Sequence, residues 1–282
     1  METDRPRLAL VYSMLDPAGS GAAARLIELL GGSKTQCPRA AECHELPDGT
    51  LLAGFPLEQV RFEFLDETPD PRADAVVVLS RHASQSGRPT LTTHHTGNPT
   101  DSAALGGEPL RLAISAPPLS SLLLRLYRAE AENMGLLEKY EVSLEATHHG
   151  PTGNKKPLVF IEIGSTPEEW RDRKAQEAMA RAVARALEEP LPRCEPAAGF
   201  GGTHYPRKFT MLHLEGETCF GHIIPKYAFA RGVPDRIIAD AVSSTWPTPA
   251  RVAVIEKKSL RAADRWRVNA VMESMGVPVR VV

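Results

Sequence analysis

Two unbroken apolar runs, at residues 75–79 and 158–161, constrain the fold of this chain more than any other feature. A strand with one solvated face alternates apolar and polar residues, whereas an unbroken apolar run of this length is typical of a strand buried on both faces. Such strands belong to mostly parallel sheets that are covered by helices. Other short β-rich runs alternate with helical patterns along the chain, which favours the same architecture.

Local patterns predict the remaining elements. Strands are predicted at 8–12, 61–65, 75–79, 111–115, 141–146, 158–163, 211–214 and 252–255, and helices at 22–30, 119–138, 166–187, 235–242 and 261–275. The clearest helix start is Thr166, because a capping hydroxyl is followed by Pro167 and two early carboxylates. We predict a single α/β domain over residues 1–282, with a mixed, mostly parallel sheet flanked by helices and a candidate variable insertion at 31–54.

Composition and charge limit the classes of function. The chain has 282 residues, of which 42% are hydrophobic, and this excludes a disordered tail protein. Its 33 Lys and Arg residues against 35 Asp and Glu residues mean that any site for a polyanion must be a local basic patch. The sequence shows no membrane span and no signal segment, which predicts a soluble cytoplasmic protein. The four scattered cysteines are expected to be reduced thiols.

Two histidine doublets, His94-His95 and His148-His149, are the first candidates for functional residues. The second doublet follows a predicted strand whose alternation turns His148 inward, while His149 begins the turn. Imidazole is neutral enough near pH 7 to coordinate a metal or to accept a proton. The doublet therefore indicates either a site for a metal, a water or a carbonyl, or a core histidine that is hydrogen-bonded to backbone.

Glu162 is the second candidate, because it interrupts an apolar run just before the strand should end. Burying a lone carboxylate costs several kcal/mol unless a partner compensates it. The partner is either an arginine or backbone N–H groups in a structural role, or a histidine or metal in a functional one.

A glycine-rich segment at 199–210 and a hydroxyl-rich segment at 80–92 complete the candidates. The first carries Thr203 and His204 after three glycines in four positions, and it matches neither a dinucleotide-binding nor a P-loop pattern. The second leaves a buried strand and has the hydroxyls and arginines that suit phosphate and ribose contacts. Basic residues adjoin all the histidine-bearing segments, and this indicates that a polyanion binds there. These basic residues are Arg81, Arg88, Lys155, Lys156, Arg207 and Lys208.

Five ordered segments, at 80–84, 91–98, 147–152, 161–170 and 199–210, together resemble the archaeal and plant type of D-aminoacyl-tRNA deacylase. The resemblance covers nearly the whole chain, apart from 32–54. It implies hydrolysis of the ester that links a D-amino acid to the 3′ end of tRNA, with Zn²⁺ as cofactor and the acceptor end of tRNA as partner. It also implies a core similar to peptidyl-tRNA hydrolase and phosphorylase-like enzymes. A monomer is expected.

The resemblance and the residues together give a hypothesis for the site. The predicted metal or water-activating residues are His148, His149, Glu162 and His204. His94 and His95 would polarise the ester carbonyl or complete this cluster, and Thr203 with the backbone N–H groups of Gly201 and Gly202 would hold the oxyanion or the terminal ribose. The predicted tRNA-binding residues are Arg81, His82, Ser84, Asn98, Lys155, Lys156, Arg207 and Lys208.

Other mechanisms and functions stay open at this point. Metal-free chemistry and hydrolysis assisted by a tRNA hydroxyl are compatible with the same residues. A covalent serine or cysteine mechanism is disfavoured, because no nucleophile elbow and no motif cysteine is present. The alternatives are a metal-assisted or phosphorylase-like hydrolase of a nucleoside or small ester, and a non-catalytic RNA-binding module.

Overall fold

A computed structural model describes residues 5–282 as two main sheets, of eight and four strands, and a separate two-stranded ribbon, with helices packed against them. The strands are β1 (Leu8–Ser13), β2 (Ser33–Lys34), β3 (Glu42–Glu45), β4 (Leu51–Phe55), β5 (Ala75–Ala83), β6 (Thr90–His94), β7 (Gly97–Asn98), β8 (Arg111–Leu112), β9 (Glu141–Leu144), β10 (Leu158–Ser165), β11 (Glu195–Phe200), β12 (Thr218–Ile224), β13 (Val252–Ile255) and β14 (Val279–Val281). The helices are α1 (Pro17–Leu30), α2 (Pro117–Asn133), α3 (Pro167–Trp170), α4 (Arg173–Glu188), α5 (Arg207–Glu215), α6 (Lys226–Ala230), α7 (Asp235–Ser243) and α8 (Ala262–Met275), with 3₁₀ turns at Gln59–Arg61 and Leu136–Glu138.

The larger sheet has the strand order β2-β3-β4-β1-β5-β10-β6-β9. Strands β4, β1, β5 and β10 run parallel, whereas β6 is antiparallel to β10 and β9 is parallel to β6. The smaller sheet, β12-β11-β13-β14, is parallel throughout. The predicted mixed, mostly parallel sheet is therefore confirmed.

The central strands explain the two unbroken apolar runs. On β5, Val77 and Leu79 pack into the core beneath α1, α2 and α4, whereas Val76 and Val78 pack on the other face with Phe55 and other aromatic residues. Because both faces of β5 and β10 are covered by protein, neither run carries a polar stripe, and polar side chains begin only after residues 79 and 161.

The two sheets meet beside β9, and this junction brings distant segments together. Helix α2 packs against β12. The Ala146 N–H donates to the carbonyl of His204, and the Thr147 N–H donates to the carbonyl of Ile223 on β12. The segment after β9 is thereby fixed against the glycine-rich segment that follows β11.

Several predicted elements are wrong. The predicted strand at 61–65 is the end of the 3₁₀ turn Gln59–Arg61 with following turns, where Phe62 and Leu65 are buried and Phe64 is half-buried. The predicted strand at 211–214 lies within α5, where helical periodicity buries His213 and leaves Met211 53% exposed. The single helix predicted at 166–187 is two helices, because Asp172 caps a new start at α4. No strand was predicted within 31–54, the candidate variable insertion, and this segment contains β2, β3 and most of β4.

The prediction of reduced thiols is also wrong. Cys37 is bonded to Cys43, and Cys194 is bonded to Cys219, with Cα atoms 5.8 and 5.7 Å apart. The spacing of the cysteines along the chain did not predict the bond between Cys194 and Cys219. These residues are 25 positions apart, and only the pairing of β11 with β12 brings them together. No helix within residues 5–282 combines the length and apolar character needed to cross a membrane.

Candidate active site

One face of three neighbouring strands carries the first part of the site. Glu162 on β10 pairs with Ser80 on β5 and with Thr92 on β6, and His82 and His94 lie two residues further along those strands on the same face. Gly164 makes room for this arrangement, because a Cβ atom there would lie only 3.0 Å from the His82 ring. The two histidines therefore flank the Glu162 carboxylate.

Glu145, directly after β9, is a functional residue that the sequence reasoning missed. Its N–H donates to the carbonyl of Thr93, and the Thr92 hydroxyl donates to its Oε1 over 2.5 Å. The side chain is completely buried and points to the same face as Glu162. The signal was the same as for Glu162, namely a carboxylate among apolar residues that end a strand.

The two carboxylates are surrounded by imidazole nitrogens. Glu145 Oε2 lies 3.1 Å from His82 Nδ1, 3.1 Å from His204 Nε2 and 3.5 Å from His148 Nε2. Glu162 Oε2 lies 3.4 Å from His82 Nδ1 and 3.4 Å from His94 Nε2. His149 belongs to the same group of side chains, because the centre of its ring lies 4.8 Å from the centre of the His94 ring. We call these seven residues the His-Glu cluster: His82, His94, Glu145, His148, His149, Glu162 and His204.

Backbone contacts orient three of the rings for coordination. The Nδ1 atoms of His94, His148 and His149 lie 3.3, 2.8 and 2.6 Å from backbone carbonyl oxygens. Donation from Nδ1 leaves Nε2 with a free lone pair, which is the arrangement typical of metal-bound histidine. His149 has a left-handed backbone with φ 45°, and strained residues of this kind concentrate at functional sites.

Three buried atoms at the centre of the cluster have no hydrogen-bond partner among the described residues: His94 Nε2, Glu145 Oε2 and Glu162 Oε2. Three overlapping groups of cluster residues place their ligand atoms within 4.8 Å of one another. Burying ionised carboxylates without partners is costly. Because the unsatisfied atoms converge, the donor set fits a divalent cation with nitrogen and oxygen ligands, as zinc prefers.

The charge states of four cluster residues agree with this fit. Burial lowers the pKa of His148 well below its usual value and that of His149 to about 4, so both rings are neutral at pH 7. Burial alone would raise the pKa of Glu162, but His94 and His82 outweigh it and lower the pKa to about 2. His204 and His82 likewise hold the pKa of Glu145 well below the usual range, despite its burial. Neutral imidazoles and ionised carboxylates are the metal-binding forms. His82 and His94 differ: despite burial, Glu145 and Glu162 raise the pKa of His82 to about 11, and Glu162 raises that of His94 above its usual value. A metal ion at His94 would therefore displace a proton.

Comparison with known proteins decides the family. The sequence model described as D-aminoacyl-tRNA deacylase matches residues 69–280. The chain belongs to the D-aminoacyl-tRNA deacylase family. A D-aminoacyl-tRNA deacylase of Aeropyrum pernix is 51% identical over 98% of this chain and 100% of its own length. Another, of Methanosarcina barkeri, is 34% identical over 99% of this chain and 90% of its own length.

A solved structure agrees with the fold. The crystal structure of AF0625, described as a conserved protein of unknown function, superposes with a TM-score of 0.89 at 29% identity, covering 98% of this chain and 95% of that one. The predicted α/β fold is thus confirmed by a solved structure, and the family resemblance is confirmed by the sequence model and the relatives.

The structure assembles some of the predicted catalytic residues of this deacylase and separates others. His94, His148, His149, Glu162 and His204 all belong to the His-Glu cluster. His95 does not, because it follows His94 on the chain and its ring turns the other way, with Nδ1 3.2 Å from the carbonyl of Leu158. Its ring lies instead near the buried His222.

The predicted oxyanion site in the glycine-rich segment is corrected. The Gly201 N–H donates to the carbonyl of Ile224, and the Gly202 N–H donates to the Ser259 hydroxyl, so neither is free to bind an oxyanion. The exposed Thr203 donates its hydroxyl to the carbonyl of Tyr205. These groups hold the turn that presents His204.

Among the predicted tRNA-binding residues, three have other roles within the fold. His82 belongs to the His-Glu cluster, where its Nε2 lies 2.9 Å from the Tyr205 hydroxyl. The Asn98 side chain donates to two backbone carbonyls in the loop 99–108. The Lys156 ammonium donates to the carbonyl of Asp70.

The other predicted tRNA-binding residues differ in how far they are engaged. Arg81 pairs with Glu58 and lies over the Trp170 ring. Ser84 contacts Ser86 in an exposed loop, and Lys155 is an exposed residue whose N–H donates to Asp66. Arg207 and Lys208, at the start of α5, are exposed and form no ion pair with residues 5–282.

Proposed function

We propose that this chain hydrolyses the ester bond of D-aminoacyl-tRNA, releasing the D-amino acid and free tRNA, in the quality control of translation in the cytoplasm. Family membership gives the substrate class. The single structural observation that carries the chemistry is the convergence of unpartnered buried atoms in the His-Glu cluster. A binding module has no need for two buried carboxylates facing five imidazoles, so the non-catalytic alternative is not favoured.

Zn²⁺ is the proposed cofactor. The candidate ligands are Glu145 and Glu162 with His94, His148 and His149, which overlapping groups of the cluster bring together. A bound zinc ion supplies Lewis acidity, which brings the pKa of water down to about 7. The cluster holds more donors than the four that one tetrahedral ion takes, so the metal content per chain is itself worth measuring.

The exposed edge of the cluster suits proton transfer. His204 has 29% of its side chain exposed, and its Nε2 lies 3.1 Å from Glu145 Oε2. This pair is placed to accept a proton from an attacking water and to return it to the ribose oxygen as the ester breaks. Water is the proposed nucleophile, because the structure pairs all four cysteines in disulfides and places no thiol at the site.

The acceptor end of tRNA would approach from the side of α5. Arg207 and Lys208 begin this helix, three to five residues after Thr203 and His204. Exposed cations without ion pairs bind phosphates at little cost, because no internal partner must be released. They form a local basic patch on a chain whose formal charge is −2.

A deacylation assay tests the proposal. The purified protein should release D-tyrosine from D-tyrosyl-tRNA and spare the L-ester, and a zinc chelator should abolish turnover until zinc is restored. Equal rates on the two esters would contradict the chiral assignment, and full activity in chelator at zero bound metal would contradict the cofactor.

Site variants test the cluster itself. His148→Ala and Glu162→Ala should each abolish turnover while the protein still unfolds cooperatively. Either variant retaining wild-type turnover would mean that the His-Glu cluster is structural.

A further inference from the structure

A cavity of about 200 Å³ opens directly beside the His-Glu cluster. One wall is the segment Thr147, His148 and His149, so two cluster histidines face it. The segment 97–105 forms another wall, and Tyr227 and Ala228 of α6 with Arg231, directly after this helix, form the rest. None of the α6 residues was singled out by the sequence.

The loop that forms this cavity is held in place. Asn98 donates to the carbonyls of Gly106 and Glu108, and the Glu108 N–H donates to the Thr152 hydroxyl. Gly106 has a left-handed backbone with φ 80°, and a Cβ atom there would lie 2.3 Å from the carbonyl oxygen of Val60. The cavity is therefore preformed and requires no loop closure.

Three kinds of group face the cavity. Tyr227 is 39% exposed, and Leu105, which also lines the cavity, is 61% exposed. The loop contributes the hydroxyls of Thr100 and Ser102. Arg231 is exposed, and its guanidinium forms no ion pair with any residue in the described range 5–282.

We propose that this cavity binds the 3′-terminal nucleotide of the tRNA, with the base stacked on Tyr227 and the 5′-phosphodiester paired with Arg231. The inference rests on the proposed function and names the substrate part held beside the cluster. An exposed aromatic ring is the usual platform for an unpaired base. A guanidinium binds phosphate oxygens, and hydroxyls suit a ribose.

The competing occupant is the amino-acid side chain. That part of the substrate changes in size and polarity from one mischarged tRNA to another, whereas the terminal nucleotide is constant. A preformed cavity with a ring, hydroxyls and an unpaired guanidinium fits the constant part. The ester carbonyl, one ribose away from the base, would then lie at His148 and His149, which line the cavity.

Kinetics on two substrates distinguish these occupants. Tyr227→Ala should raise KM about 5- to 150-fold with kcat little changed, and by the same factor for D-alanyl-tRNA and D-tyrosyl-tRNA. Tyr227→Phe, which keeps the ring, should restore KM to within about twofold of wild type. An unchanged KM in Tyr227→Ala, or an increase confined to the larger D-amino acid, would overturn the assignment.

A binding measurement separates this inference from the proposed function. Adenosine 5′-monophosphate should bind the wild-type protein, and Tyr227→Ala and Arg231→Gln should weaken that binding whether or not turnover is observed. Trp266→Ala is the matched control, because Trp266 is 72% exposed on α8 and does not line the cavity. If the wild type deacylates D-aminoacyl-tRNA but does not bind the nucleotide, the subsite is wrong and the activity stands.

Discussion

The hydrogen bond from Thr92 to Glu145 gives a sharp test of the His-Glu cluster. Thr92 and Thr93 are consecutive on β6 and face opposite sides of the sheet. The Thr92 hydroxyl donates to the fully buried Glu145 Oε1 over 2.5 Å, whereas the Thr93 hydroxyl lies 3.1 Å from the Ser120 hydroxyl under α2. Valine keeps the shape of threonine and removes only the donor.

The size of the effect follows from the charge on Glu145. A hydrogen bond to a charged group contributes about 1.5–3 kcal/mol, which corresponds to roughly 10- to 150-fold in an equilibrium constant. Loss of a partner that orients a metal ligand typically costs about 10- to 100-fold in metal affinity or activity. We therefore expect Thr92→Val to weaken zinc binding by about 10- to 100-fold and to lower kcat/KM at limiting zinc by a similar factor.

Thr93→Val is the control for this prediction. It removes a neutral hydrogen bond and should lower the free energy of unfolding by about 1 kcal/mol without changing zinc affinity. Zinc affinity is measured by competition with a chromophoric chelator, and stability by denaturant unfolding. If Thr92→Val binds zinc as wild type does, or if both variants lose zinc equally, the placement of Glu145 as a ligand is refuted.

Three further predictions concern stability and tRNA binding. Replacing Cys194 and Cys219 by serine should lower the free energy of unfolding by about 3.5 kcal/mol, the loop-closure value for a separation of 25 residues; a loss below about 1 kcal/mol in denaturant unfolding would contradict it. Burial lowers the pKa of His213 from 6.5 to about 4, so the unfolded chain binds the extra proton between these values and stability falls on acidification through that window. The substitution His213→Asn should reduce the slope of unfolding free energy against pH there by up to about 1.4 kcal/mol per unit, and an identical slope would argue against the buried neutral ring. Replacing Arg207 and Lys208 by glutamine should reduce the slope of log affinity for tRNA against log salt by about 1.4–1.8, and an unaltered slope would remove them from the interface.

Local sequence patterns predicted most of the fold, because a strand that is buried on both faces has an unbroken apolar run in its own sequence. We could recognise the apolar runs of β5 and β10 and the helix cap at Thr166 without knowing which other elements they contact. The errors at 61–65 and 211–214 arose where short apolar runs do not distinguish a strand from a buried turn or helix.

The sequence alone also identified residues that were candidates for the functional site. Glu162 in an apolar strand required a partner, and the doublets containing His94 and His148 offered candidates. Only the tertiary structure decided which of them meet. Strand register placed His82 beside Glu162 and turned His95 away, and the packing of the two sheets brought His204 to Glu145. The contacts of His204 with Glu145 and of His82 with Glu162 join residues that are 59 or more positions apart. Such contacts depend on how strands pair and how sheets pack, and the sequence of one segment does not determine this.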